Sequence, residues 1–130
     1  MDLQLLVREA LLAKGCREEL TRSFDAHSTI QLEFTDATPV LISNVDDQII
    51  LWSQLCEHNP YTLSQRAGQI MELLLEPSPF SVTNYLYICE DDRSTVLRCL
   101  VREDVLNPSD FGDVMEDFYQ RLKQYLQVIR

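Results

Sequence analysis

The chain contains 130 residues, of which 45% are hydrophobic and 25% are charged, a composition typical of one folded domain with a compact core. Its formal net charge of −10 comes from 21 acidic and 11 basic residues. This balance argues against nucleic acid and against an anionic membrane surface as partners, because both attract basic proteins, and it suits a basic or strongly apolar partner.

The first predicted element is a helix over residues 2–14, closed by Gly15 after its last turn. Most of its apolar residues recur on one face, which is expected to enter the core. Leu5 and Leu12 stand apart from that face, one heptad from each other and on either side of Arg8. The pair is a candidate contact with another chain, unless the connection over residues 16–24 covers it.

A meander of three short antiparallel strands is predicted next, over residues 27–34, 40–45 and 48–55. The first alternates between apolar and polar residues, which places Ile30, Leu32 and Phe34 on one face of a half-buried strand. Asp46-Asp47 supplies the tight turn before the third strand, which contains Trp52.

The middle helix is predicted over residues 62–76, with Thr62 and Gln65 matching a capping box and Pro77 ending the helix. One face is suited to packing on a sheet and consists of Leu63, Ala67, Ile70 and Leu74. A second apolar face lies beside it and consists of Ser64, Gly68, Met71 and Leu75. A surface helix needs an apolar stripe of only about 100°. The excess indicates either a helix buried deeply in a monomer or a dimer seam at which Gly68 lets two backbones approach.

The rest of the chain is predicted to form a hairpin and a long helix. The hairpin joins residues 80–90 to 95–102 around Asp91-Asp92-Arg93, and the helix starts at residues 107–110 and runs to Ile129 with a strong helical period. The predicted order is therefore α-β-β-β-α-β-β-α. We expect a single α+β domain over residues 1–130, with one mostly antiparallel twisted sheet and helices packed on it.

No pattern in the sequence points to catalysis, a metal or a cofactor. His27 and His58 lie far apart, without cysteine or carboxylate neighbours at ligand spacing. No glycine-rich phosphate-binding loop is present. Asp110-Phe111-Gly112 matches the magnesium-binding letters of kinases only by chance, because it opens an amphipathic helix in a chain too short for a kinase. We therefore predict a protein that is not an enzyme and has no catalytic or metal site.

The sequence also bears on the compartment. No stretch approaches the roughly 18 apolar residues needed to span a bilayer, and the N-terminal residues do not form a signal peptide. The four cysteines show no Cys-x-x-Cys spacing, so reduced thiols are expected. These features predict a cytoplasmic protein. The surplus apolar residues and the first strand, as a possible sheet edge, indicate a groove for an extended segment of another chain.

The sequence resembles the class I chaperones of bacterial type III secretion, and specifically the SpaK/InvB branch. The likeness runs in order along almost the whole chain, through Leu6-Val7-Arg8, Gly15-Cys16, residues 25–30, Leu51-Trp52, Gln65-Arg66-Ala67 and Asp117-Phe118-Tyr119.

The resemblance implies a non-enzymatic homodimer in the bacterial cytoplasm. It would bind the N-terminal segment of one or more secreted effectors, keep that segment extended and soluble, and deliver it to the export machinery without using ATP. A strand of the effector would add to the sheet and place apolar side chains beside the first helix. The implied effector contacts are Leu5, Leu12, Ile30, Leu32, Phe34 and Trp52. The implied dimer interface comprises Ser64, Gly68, Met71 and Leu75.

Two other hypotheses stay open at this point. A dimeric α+β adaptor that grips an already folded protein partner, without enzymatic activity, is equally compatible with the residues. A small enzyme would need His27 or one of the cysteines in an active site, and the sequence shows no such site.

Overall fold

The computed structural model describes residues 2–15 and 29–130. In chain order the elements are helix α1 (Leu3–Ala13), strands β1 (Thr29–Leu32), β2 (Val40–Val45) and β3 (Gln48–Glu57), helix α2 (Pro60–Leu74), strands β4 (Tyr87–Asp91) and β5 (Ser94–Leu100), a short 3-10 turn (Glu103–Val105) and helix α3 (Pro108–Ile129). This order confirms the predicted α+β architecture. The predicted contacts at residues 16–24, and the start of the first strand at residues 27–28, lie outside the described residues.

The five strands form one sheet in the order β1-β2-β3-β5-β4, with every neighbouring pair antiparallel. The turns after β2 and β4 each have two residues with positive φ: 52° and 64° at Asp46 and Asp47, and 48° and 64° at Asp92 and Arg93. Paired positive φ values match the right-handed twist of a tight hairpin. The predicted meander and hairpin tip are thereby confirmed. The strand order makes β1 and β4 the outermost strands of the sheet.

The core lies between the sheet and the helix pair α1–α3. Helix α1 packs along α3, and α3 also contacts β3. Along β3, Ile49, Leu51 and Leu55 are buried and alternate with residues that are more exposed, as a period of two requires. The helical period of α3 was read correctly from the sequence, since its core face includes the fully buried Phe111, Phe118 and Leu122.

Helix α2 differs from its prediction in both its bounds and its packing. It begins two residues earlier than predicted, because Asn59 caps it by accepting the Tyr61 N–H at 3.0 Å and Pro60 occupies the first turn. Thr62 is therefore inside the helix and not its cap. The helix packs chiefly against α3 and less against the sheet. Ile70 is its one buried residue, so the interpretation of a deeply buried helix is wrong.

Two predicted strands are shorter than expected. The first arm of the last hairpin was predicted to begin at residue 80, but the strand begins at Tyr87. The preceding residues instead form turns, in which the Ser78 N–H donates to the Asn84 carbonyl at 2.7 Å and Asn84 has φ of 69°. Ser81 keeps a single bridge to Val101. β1 ends at Leu32, so Phe34 lies beyond the strand.

Candidate functional site

A cavity of about 270 Å³ opens where the end of α1, the end of β1 and the first half of α3 meet. We call it the α1–β1–α3 cavity. Most of its lining is apolar, and a lysine and a glutamate supply its charged groups. The lining residues are Leu11, Lys14, Leu32, Phe34, Gly112, Met115, Glu116 and Tyr119. The cavity therefore combines one side chain of an edge strand with side chains of two helices.

Gly112 sets the distance between the two helices at this point. A Cβ atom at this position would lie 3.0 Å from Lys14 Cε and 3.4 Å from the Ala10 carbonyl oxygen. The bare backbone of α3 thus lets the last turn of α1 approach closely. The first turn of α3 is itself fixed by Asn107, whose Oδ1 accepts the Asp110 N–H at 2.9 Å.

The segment after β1 is anchored to α3 through Tyr119. The Phe34 and Tyr119 rings stack with centroids 4.4 Å apart, and the Tyr119 hydroxyl donates to the Asp36 carboxylate. Lys123 Nζ lies 4.4 Å from the Tyr119 ring centroid and 3.7 Å from Asp36 Oδ2. The hydrogen bond from Tyr119, assisted by Lys123, lowers the pKa of Asp36, and the same hydrogen bond raises the pKa of Tyr119. These contacts hold one wall of the cavity in place.

The charged rim of the cavity lies at the end of α1. Lys14 Nζ donates to Asp113 Oδ1 at 2.5 Å and to Glu116 Oε2 at 3.0 Å. These two hydrogen bonds, that to Asp113 first, raise the pKa of Lys14. The same lysine also lines a second depression of about 430 Å³, together with Ala13, Pro108, Ser109 and Asp113. The Lys14 side chain thus borders two depressions and is shared by two carboxylates.

The structure does not bring the six predicted effector contacts together. Leu32 and Phe34 line the cavity, whereas Leu5 and Leu12 are 48% and 43% exposed elsewhere on α1. Two placements correct the sequence interpretation. Ile30 is only 1% exposed, because its face of β1 points into the core.

Trp52 is the second correction. It alternates with the buried Leu51, so it projects from the opposite face of the sheet, where its indole N–H donates to Ser43 Oγ at 2.9 Å. Trp52 therefore does not share a groove with α1.

Several cavity residues were missed in the sequence, chiefly Leu11, Gly112, Met115 and Tyr119. The α3 residues belong to the helical pattern that was assigned wholly to the core. One signal was available: Gly112 is a glycine near the start of a helix, beside Met115 and Tyr119 in the sequence pattern, and a glycine inside a helical pattern often has a packing reason.

The predicted dimer residues share an exposed face of α2. Met71 is 56% and Leu75 64% exposed, and Ser64 and Gly68 are also exposed. A Cβ atom at Gly68 would meet nothing within 4 Å. This face is open in a single copy of the chain, and its role as an interface stays a prediction.

The described residues, 2–15 and 29–130, also bear on other kinds of site. Within these ranges no group of three or more His, Cys, Asp or Glu side chains is arranged to hold a metal ion. None of the helices described has the length and apolar character required to traverse a bilayer. Burial of Cys99 raises the pKa of its thiol to about 12, so this cysteine is protonated and unsuited to nucleophilic attack at neutral pH.

Comparison with known proteins places the chain in a family. Residues 15–92 match the model of the Invasion protein B family. The chain is 32% identical over 126 residues to the surface presentation of antigens protein SpaK of Salmonella typhimurium, covering 96% of this chain and 93% of that protein. The SpaK protein of Salmonella typhi matches to the same extent.

Two solved structures share the fold. The heterodimeric complex ExoU–SpcU from the type III secretion system of Pseudomonas aeruginosa matches with a TM-score of 0.61 and 19% identity, over 95% of this chain and 93% of the matched chain. YbjN, a putative transcription regulator from E. coli, matches with a TM-score of 0.60 and 15% identity, over 93% and 87%. At such identities the likeness concerns the fold. The family match and the SpaK relatives go further and confirm the resemblance stated from the sequence: the chain belongs to the Invasion protein B family.

Proposed function

We propose that this protein is a type III secretion chaperone that binds the N-terminal segment of one or more secreted effectors. It keeps the segment extended and soluble and delivers it to the export machinery. The observation that carries the proposal is the position of the α1–β1–α3 cavity, which includes Leu32 of an edge strand. The family and the fold support a chaperone role.

The edge position of β1 supplies the means of holding an extended chain. A strand at a sheet edge presents backbone N–H and C=O groups to one side, and a second chain can pair with them. Alternate side chains of an added strand would then point toward the helices α1 and α3. An apolar side chain at the end of β1 would enter the cavity between Leu11, Phe34 and Met115. Backbone pairing is independent of sequence, which suits a chaperone with more than one effector.

The exposed face of α2 supports a homodimer. In 15 residues this helix buries only Ile70, and it leaves Met71 and Leu75 more than half exposed. Pairing of α2 with its copy would remove this apolar surface from water. The open space beside Gly68 would let the two helix backbones approach closely.

The remaining parts of the proposal rest on the family, on the cavity and on the exposed face of α2. The chaperone is non-enzymatic and works in the bacterial cytoplasm without a cofactor or ATP. Its partners are the effector segment, the export machinery and a second copy of the chain, with no nucleic acid or membrane partner. The strongly acidic composition is consistent with this set.

Copurification tests the proposal. The protein is tagged in its native host, the bound chains are identified by mass spectrometry, and the complex is treated with protease. We expect a secreted effector whose protected fragment is a single N-terminal segment without a folded domain. Protection of a complete folded domain would instead support the adaptor hypothesis. Recovery of the protein without any secreted partner would contradict the proposal.

A further inference from the structure

The rim of the α1–β1–α3 cavity has an arrangement that apolar recognition alone does not explain. One ammonium group, that of Lys14, is held by two carboxylates, at 2.5 Å from Asp113 Oδ1 and 3.0 Å from Glu116 Oε2. Both carboxylate side chains are more than half exposed, at 56% and 59%. The rim therefore keeps a net negative charge that faces solvent beside an apolar cavity.

Lys14 also borders two neighbouring depressions. It lines the cavity that contains Leu11 and Met115 and the neighbouring depression that contains Pro108 and Ser109. Its aliphatic stem lies over Gly112, where a Cβ atom would come within 3.1 Å of Lys14 Cγ. Within the described residues, the far end of this stem is held by two exposed ion pairs, and such pairs are individually weak. Movement of the Lys14 side chain would join the two depressions into one groove along the start of α3.

The size of the cavity fits one anchoring side chain. A dry cavity of about 150 Å³ lined by aliphatic and aromatic residues is large enough for benzene. The present cavity of about 270 Å³ thus has room for a leucine, methionine or phenylalanine side chain. It is smaller than most small-molecule sites, which range from about 300 to 1,000 Å³.

We infer that the groove selects segments in which an apolar anchor and an arginine or lysine lie two residues apart, with the guest cation replacing Lys14 between Asp113 and Glu116. This inference rests on the proposed function and specifies the chemistry of the bound segment. The spacing follows from strand geometry, because residues two apart in an extended chain point to the same side and lie about 7 Å from each other. Lys14 then serves as an internal counter-ion that offsets part of the negative charge of the rim while the groove is empty.

The test uses the full-length protein and a synthetic peptide with the sequence of the protected effector fragment. Its binding is measured by calorimetry for the wild type, for Lys14→Met and for the double variant Asp113→Asn/Glu116→Gln. Removal of the competing cation should tighten binding by about twofold to fivefold, and neutralisation of the rim should weaken it by a similar factor, as expected for exposed charges. A peptide with glutamine in place of the cation nearest to the anchor should bind the wild type as weakly as the wild-type peptide binds the double variant.

Tighter binding by Lys14→Met, together with weaker binding by the double variant, would distinguish this inference from a purely structural role of the ion pairs. If Lys14 only stabilised the fold, both variants would weaken binding, and that result would overturn the inference. Equal binding of the cation-free peptide would overturn it as well, and this arm does not depend on how any variant folds. Stronger self-association of Lys14→Met would identify a second copy as the occupant and also refute it. Failure of any peptide to bind the wild type would refute the proposed function itself.

Discussion

Two apolar regions of the described chain, the cavity and the exposed face of α2, differ in how their side chains are held. At the α1–β1–α3 cavity the apolar side chains are partly buried, and a ring stack and several ion pairs fix the walls. On the exposed face of α2, Met71 and Leu75 project into solvent from a helix with one buried residue. A concave, fixed site suits single side chains of an extended guest, whereas a protruding helix face suits a second, matching surface. We therefore expect substitutions at the cavity to leave dimerisation intact. Substitutions on the exposed face of α2 should leave binding of the effector segment intact.

The largest difference between the two regions is expected from a substitution at Gly68, which should affect dimerisation and not the binding of the effector segment. A Cβ atom at this position meets no neighbour within 4 Å in a single copy, whereas a leucine side chain would hold two α2 helices apart. Gly68→Leu should weaken dimerisation at least tenfold, which is about 1.4 kcal/mol, while the monomer stays folded. Analytical ultracentrifugation over a dilution series measures the effect.

Gly68→Ala is the matched control for this change. In an isolated exposed helix an alanine in place of glycine stabilises by about 1 kcal/mol, so an increase in thermal stability with a small loss of dimer is expected. An unchanged dimer in Gly68→Leu would remove α2 from the interface.

The substitution Tyr119→Ala should have the next largest effect. It should lower stability and weaken segment binding at the cavity without changing the dimer. It removes the stack with Phe34, the contact with Lys123 and the hydrogen bond to Asp36. We expect a loss of stability of about 1–2 kcal/mol, since an aromatic pair and one hydrogen bond each contribute about 1 kcal/mol, together with weaker binding of the effector segment and an unchanged dimer.

Denaturant unfolding and calorimetry measure the two effects of Tyr119→Ala. Tyr119→Phe keeps the stack and should retain most of the binding. Equal losses in both variants would show that the hydroxyl, and not the ring, forms the wall.

Aspartate at Leu5 or Leu12 tests the exposed leucines of α1. Because these side chains are 48% and 43% exposed, each change should alter the free energy of unfolding by no more than about 0.5 kcal/mol. If the leucines contact the guest outside the cavity, segment binding falls several-fold while dimerisation is unchanged. Pull-down titration and thermal unfolding distinguish the outcomes: unfolding would mean that the leucines are covered by the chain itself, and normal binding would remove them from the site.

The smallest effect is expected from the titration of Asp36. Its pKa lies below the ordinary value of 3.8, chiefly because Tyr119 donates to it. The carboxylate therefore adds stability above pH 3.8, and this contribution is lost as the pH falls through its folded-state pKa. Asp36→Asn should be less stable than the wild type at pH 6 and closer to it at pH 3. A stability difference that is the same at both pH values would show that the charge of the Asp36 carboxylate adds nothing to its bond with Tyr119.

The sequence sufficed for the order of elements because local signals agreed with the fold. The aspartate pairs at 46–47 and 91–92 mark hairpin turns, and the apolar period of α3 marks its core face. The start of α2 differs from the prediction because Asn59-Pro60 is also a good helix start, and the cap from Asn59 with Pro60 in the first turn prevails over the Thr62 capping box.

The candidate site was harder to predict because it joins three distant segments. The expectation that Trp52 belongs with the contacts beside α1 could not be checked from the sequence, since Ile49, Ile50, Leu51 and Trp52 are all apolar and alternation cannot show which side of β3 faces the helices. Ile30 was correctly placed with Leu32, but only packing shows that the helices cover the former and leave the latter at the cavity. The Lys14 ion pairs link residues 99 and 102 positions apart, and no local pattern reveals such contacts.

Hydrogen exchange on the complex with the copurified effector tests the central claim most directly. The account predicts new protection at the outward-facing amides of β1 and in the first half of α3, with matching protection in one continuous effector segment. The region around Trp52 on the opposite face should exchange as in the free protein. Unchanged exchange in β1, combined with new protection around Trp52 or throughout a folded effector domain, would contradict the account.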